Sequence, residues 1–204
     1  MRIGVAAIAA LMIGLLPTAG AQSQDKFRAA YEDNHIFKLR TEVEEATSAP
    51  LFYRGALAAA ANQISTAAKD LRSVINLSPQ SDDAYEAHDV LGNLFFRNGL
   101  YQDAFREITA ALKERPDAAD AKSMLPIATA LNNFPAMTVA SLRPTKLQIE
   151  PKSIFLPLKL DGHDAEFLFD TGAGISIIGE SEAKELGLLA TDVKARWVTR
   201  AVKE

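Results

Sequence analysis

The amino-acid sequence predicts an α + β chain of two domains, helical first and β-rich second. Three observations lead to this reading. From residue 25 to about residue 133 the chain is rich in Ala, Leu, Glu, Lys and Arg, and Pro50, Pro79, Pro116, Pro126 and Pro135 divide it into lengths suited to short paired helices. Beyond Pro135 the pattern changes to short apolar runs separated by a turn signal. Ahead of both lies an apolar leader. The expected boundaries are a signal peptide over 1–21, a helical region over 22–137, a linker over 138–152 and a β domain over 153–204.

In the leader, Arg2 supplies a positive start and residues 3–16 form an uncharged, largely apolar run. Pro17 breaks a helix there, and Ala19-Gly20-Ala21 offers the small residues a signal peptidase reads, with cleavage after Ala21. The run is short for a membrane span, which needs about 20 residues. The expectation is therefore an exported chain, periplasmic or secreted; left uncleaved, the same segment would anchor it to a membrane.

Composition narrows the chemistry. The hydrophobic fraction of 48% and charged fraction of 24% allow a buried core. A net charge of -4 carries no basic footprint for nucleic acid. The absence of cysteine excludes disulfides, thiol nucleophiles and thiolate zinc sites. His35, His88 and His163 are too scattered to read as a ligand cluster, so neither metal nor other cofactor is expected.

Within the helical region, Leu91, Gly92, Phe95, Gly99, Tyr101, Ala104, Ile108, Ala111 and Pro116 recur at helical spacing. Gly92 and Ala104 are small where two antiparallel helices would cross, Leu91, Phe95, Ile108 and Ala111 would fill the seam, and Asn98-Gly99 would turn the chain between them. Residues 83–117 on this pattern resemble a tetratricopeptide repeat. A weaker copy, Gly55, Ala58, Ala67, Leu71, Val74 and Pro79, precedes it; Pro79 and Pro116 lie 37 apart, against the repeat's usual length of about 34. A helix over 27–46 is expected to cap the stack, because a repeat cannot bury its seam alone. What the resemblance implies for function is a concave surface that holds a peptide or protein partner.

In the β domain, 154–160 and 165–169 read as strands of a hairpin turned at Asp161-Gly162, 175–178 as a further strand, and 181–186 as a short helix ending at Gly187. The hairpin delivers the chain to Asp170-Thr171-Gly172-Ala173-Gly174. Phe167-Leu168-Phe169 before this motif, Ile177-Ile178 after it, and Ala183-Lys184-Glu185-Leu186-Gly187-Leu188 beyond make the window resemble the active-site half of retropepsin-like aspartic proteases, and more narrowly their exported bacterial members. The fold so implied is the N-terminal part of an all-β acid-protease barrel.

The residue types suit that chemistry. Hydrolysing an amide without metal or covalent intermediate needs one carboxylate to activate water and another to protonate the carbonyl oxygen. Two such groups about 3 Å apart share one proton, since both cannot ionise. The resemblance makes Asp170 the catalytic carboxylate, in an apolar setting at a strand end. It makes Thr171 a hydroxyl bridging to the partner loop, and Gly172 and Ala173 the supports of the active-site loop. Asp161, Asp164, Asp192 and His163 lack this context and read as solvated loop or turn residues.

The motif occurs once, so the resemblance implies a homodimer in which each copy contributes Asp170 to a polypeptide substrate. The 32 residues after Gly172 are few for a flap, a second supporting motif and an interface strand. The chain is accordingly expected to stop within the protease domain and to be weakly active or inactive alone. The rival expectation is a repeat-based binding scaffold whose protease-like part is non-catalytic.

Overall fold

The computed structural model describes residues 19–138, 148–150, 153–170 and 176–188; the leader before residue 19 and the segment after residue 188 lie outside them. The helix-forming stretches become α1 (Ala19–Glu32), α2 (Ile36–Glu45), α3 (Leu51–Ala60), α4 (Ile64–Leu77), α5 (Asp82–Arg97), α6 (Tyr101–Glu114) and α7 (Ala119–Leu131). Each of α1/α2, α3/α4 and α5/α6 is a hairpin, α4 packs on α5, and α7 closes against α6.

One device turns all three hairpins. Asn34, Asn62 and Gly99 take positive φ of 56°, 58° and 67°. At each, two main-chain bonds close the helix end: Leu100 N donates to Phe95 O at 2.9 Å and Gly99 N to Phe96 O at 3.0 Å, with matching pairs at Asn62–Gln63 and Asn34–His35. This left-handed closure needs glycine or asparagine, the residues that tolerate it. The turn at Asn34 corrects the single helix expected over 27–46: there are two, broken at 33–35. The Asn62 and Asn98 side-chain amides bond each other reciprocally at 3.1 and 2.7 Å, tying the second turn to the third.

A shift of 37 residues superposes the second hairpin on the third: Gly55 on Gly92, Ala67 on Ala104, Leu71 on Ile108 and Val74 on Ala111. The correspondence is physical. A Cβ on Gly55 would come within 2.6 Å of Leu71 Cγ, and one on Gly92 within 2.8 Å of Ile108 Cγ1. Each hairpin thus seats a large aliphatic residue against the bare backbone of its partner helix. Phe27, Leu39, Phe52, Leu71, Leu91, Leu94 and Ile108 are the large side chains fully buried in this core. The shift even pairs two buried acids. Asp70 Oδ2 lies 3.0 Å from Arg54 Nη2, and Glu107 Oε2 lies 2.7 Å from His88 Nδ1.

The ends of the helices follow local chemistry. The Ser81 hydroxyl caps α5 by accepting from Ala84 N at 3.1 Å, and Asp82 and Asp83 sit in its first turn. Pro126 does not end a helix as expected; it lies inside α7. Its missing N–H deprives only the carbonyl of Lys122, and both residues are on the exposed side where water can serve instead.

The β part is an antiparallel sheet of β1 (Gln148–Glu150), β2 (Ser153–Leu160) and β3 (His163–Leu168), in that order. β1 corrects the linker expected over 138–152, since 148–150 pair with 153–155. The last described helix, α8 (Glu180–Glu185), closes on Gly187 at φ 67° by the same double bond, Leu188 N to Ala183 O and Gly187 N to Lys184 O. Residues 176–179 are not the strand expected over 175–178. A strand needs a partner, and none among the described residues pairs with them.

Gly92→Val is expected to destabilise the chain by about 1–3 kcal/mol, the range for overpacking. Gly92→Ala should also destabilise, although alanine favours an exposed helix by about 1 kcal/mol over glycine. Urea denaturation followed by circular dichroism checks both signs; a stabilised Gly92→Ala would mean that the helices are not in contact there.

Candidate active site

The β2–β3 turn fixes the register of the two strands it joins. Asp161 and Gly162 both have positive φ, 46° and 86°, the requirement of a two-residue turn whose twist matches the strands. Leu160 accordingly pairs with His163, Leu156 with Phe167 and Phe155 with Leu168. Phe169 N donates to Ile154 O at 2.8 Å, carrying the ladder one residue beyond β3. Asp170 is therefore the first residue past the ladder.

Alternation along the hairpin gives two unlike faces. Leu156, Leu158, Ala165, Phe167 and Phe169 share one; Pro157, Lys159, Asp164 and Glu166 share the other, which becomes apolar at Phe155 and Leu168 away from the turn. Lys159 and Asp164 pair on the polar face at 2.6 Å, both exposed. Such a pair contributes little to stability.

The apolar face lines a cleft of about 730 Å³ whose opposite wall is helical. Phe96 and Arg97 come from the end of α5, Tyr101 from the start of α6, and Ile127 and Leu131 from α7. Met137 completes that wall. Its N–H donates to Gly99 O at 3.0 Å, and the Tyr101 hydroxyl donates to its Sδ at 3.0 Å. Phe96 and Tyr101 meet edge to face, centroids 6.1 Å apart. Arg97 donates to Ala59 O at the end of α3; burial lowers its guanidinium pKa from the usual value. Asp170, Ser176 and Ile177 finish the lining, and Asp170 is the acidic residue among those described there.

Asp170 is exposed in the single chain, at the edge of that largely apolar cleft. The cause is its position: one residue beyond the ladder, at the outer strand of the described sheet. Thr171, Gly172 and Ala173 lie outside the described residues, as does Asp192. Asp161 is the turn residue expected, whereas His163 opens β3 instead of lying in the turn. Neither Asp161 nor His163 lines the cleft beside Asp170.

Sequence reasoning missed the helical wall, having read apolar helical positions as core. A signal existed. Ala121, Met124 and Ala128 already supply the buried stripe of α7, leaving Ile127 and Leu131, at i and i+4, as a second apolar pair on that helix.

A family model described as aspartyl protease matches residues 156–203, which contain the hairpin from Leu156 onward, Asp170 and α8. No curated protein and no solved structure matches the chain. The similarity to the protease family thus rests on the C-terminal segment, and the helical region carries none of it. Among the described residues no helix is long and apolar enough to cross a membrane.

Gly99 holds both the α5–α6 turn and Met137 in place: its φ is 67°, and a Cβ would lie 2.4 Å from Met137 Cβ. Gly99→Ala is expected to cost about 1–2 kcal/mol from left-handed strain alone, with a further loss from that clash. A thermal melt showing no change would contradict this placement of the 135–138 segment.

Proposed function

We propose that this chain is an aspartic endopeptidase acting on polypeptides, with Asp170 as catalytic carboxylate. The observation that carries the reading is the delivery of Asp170 from the end of a tightly registered hairpin into an apolar cleft, inside the segment similar to aspartyl proteases. The exposure of Asp170 in one chain fits a site completed by a second copy. In that homodimer two Asp170 carboxylates share a proton. The ionised one takes a proton from water as the oxygen attacks the peptide carbonyl carbon, and the protonated one gives its proton to the carbonyl oxygen. Collapse of the tetrahedral intermediate breaks the C–N bond, with a proton passed to the leaving amine. Thr171, Gly172 and Ala173 are assigned to support of the loop around it.

The helical region is read as tetratricopeptide-like hairpins that recruit substrate or a protein partner. The recurrence at 37 residues and the small-residue crossings at Gly55 and Gly92 support that reading. The leader supports export to the periplasm or exterior with cleavage after Ala21. A scaffold with a non-catalytic protease-like part is the second reading, favoured by the same exposure of Asp170 when the chain stays single.

Cleavage of an unfolded protein at mildly acidic pH, followed by mass spectrometry, separates these. Asp170→Asn is expected to lower the rate by at least about 10²-fold, the lower end for loss of a general acid–base group. Excess Asp170→Asn chain should also poison wild-type activity by forming mixed dimers. Cleavage that survives the substitution would sink the protease reading, and linear loss by simple dilution would sink the shared site.

A further inference from the structure

We propose that the helical region forms one wall of the substrate cleft, where Ile127 and Leu131 receive an apolar side chain of an extended polypeptide. The inference rests on Asp170 being the catalytic carboxylate, and it adds residues that determine which polypeptides are taken.

The cleft has the character of a binding site. Its volume of about 730 Å³ falls within the range of about 300–1,000 Å³ found for ligand sites, and its lining is apolar with a few polar groups. Those groups are Arg97, Tyr101, Ser176 and Asp170. The apolar side chains between them stand in contact with water: Met137 is 67% exposed, Ile177 76% and Phe169 48%. Surface of this kind, concentrated beside a candidate catalytic acid, is where an apolar occupant gains most from leaving water.

Two features make that occupant an extended chain. β3 is the outer strand of the described sheet, and its residues Phe167 and Leu168 line the cleft. An outer strand presents a row of main-chain donors and acceptors that an extended peptide can pair with. In such a peptide alternate side chains point to opposite sides, so those on one side would face Leu156 and Phe167 or, across the cleft, Ile127 and Leu131. The second copy that the acid pair requires would meet this chain at Asp170, and the peptide side chain is assigned to the α7 end of the cleft, where Ile127 and Leu131 stand.

The helical wall is also held in place. Met137 is fixed to the α5–α6 turn by the bond to Gly99 O and by the Tyr101 hydroxyl. Ile127 and Leu131 stand on a helix anchored by buried Ala121, Met124 and Ala128. Specificity built on this wall would therefore be sensitive to α7, far in sequence from the catalytic motif.

The test is binding of a fluorescein-labelled synthetic peptide of alternating leucine and threonine, read by anisotropy. All proteins carry Asp170→Asn so that the peptide is not consumed. Saturable binding is expected, and Ile127→Glu with Leu131→Glu should weaken it at least about tenfold, near 1.4 kcal/mol. A glycine–serine peptide should not bind. If the α7 variants lose the fold by circular dichroism, Met137→Ser, at an exposed position, applies the same test with an expected weakening of about threefold or more. Equal affinity for folded variants and parent, or equal affinity for the two peptides, overturns the proposal. So does a dimer, by sedimentation, that the α7 changes disrupt without altering peptide affinity. Cleavage is scored separately with the native Asp170. Peptide binding through α7 with cleavage that survives Asp170→Asn refutes the protease reading alone, and Asp170-dependent cleavage indifferent to α7 refutes this inference alone.

Discussion

Two helices can pack as closely as the hairpins here require only where one of them has no side chain. Gly55 faces Leu71 and Gly92 faces Ile108, each glycine admitting an aliphatic group where a Cβ would sit less than 3 Å away. The rest of the helical stack depends on that approach. It brings Ala67 and Ala104 into the same seams, buries Asp70 and Glu107 beside partners on the facing helix, and aligns the turns at Asn62 and Gly99 so that their neighbouring amides bond. Cavity costs of about 2–5 kcal/mol for truncating a buried leucine indicate how much stability a seam residue such as Leu71 holds. A seam this close tolerates neither an added methyl nor a missing one.

The stack matters to the candidate site because it ends there. The third turn is where the chain returns after α7, and Met137 lies along it. The same turn that closes α5 therefore also fixes a wall of the cleft. On the opposite side a different local rule operates. Positive φ at Asp161 and Gly162 sets the hairpin twist and register, and a slip of one residue would swap the apolar and polar faces. Asp170 reaches the cleft only because that register places Phe167 and Phe169 on the side of the helices.

Amide hydrolysis of this kind takes two carboxylates, one to activate water and one to protonate the carbonyl oxygen. Pairing two copies supplies both, because like charges about 3 Å apart hold one proton between them. The exposure of Asp170 thus bears on both readings of the chain: it is what a half-site looks like, and what a surface acid looks like. Activity and its dependence on association separate them.

Local chemistry made much of this protein legible. The helical and β portions, the Asn98-Gly99 turn, the hairpin at Asp161-Gly162 and the helix closed by Gly187 all come from short-range rules of φ, periodicity and turn formation, whereas the candidate acid Asp170 comes from the resemblance of its motif to aspartic proteases. Those rules failed where a distant partner decides. Residues 27–46 carry helix formers on both sides of Asp33-Asn34-His35, and Asn34 accepts a left-handed turn that lets Phe27 and Leu39 pack from separate helices. Residues 148–150 resemble a linker until β2 supplies the other half of their hydrogen bonds. Nothing in the order of residues announces that Ile127 and Leu131 stand opposite a sheet. Apolar spacing says that a face will be covered or used, but only the tertiary arrangement decides what lies across from it, because the two walls of the cleft come from segments that no local interaction connects.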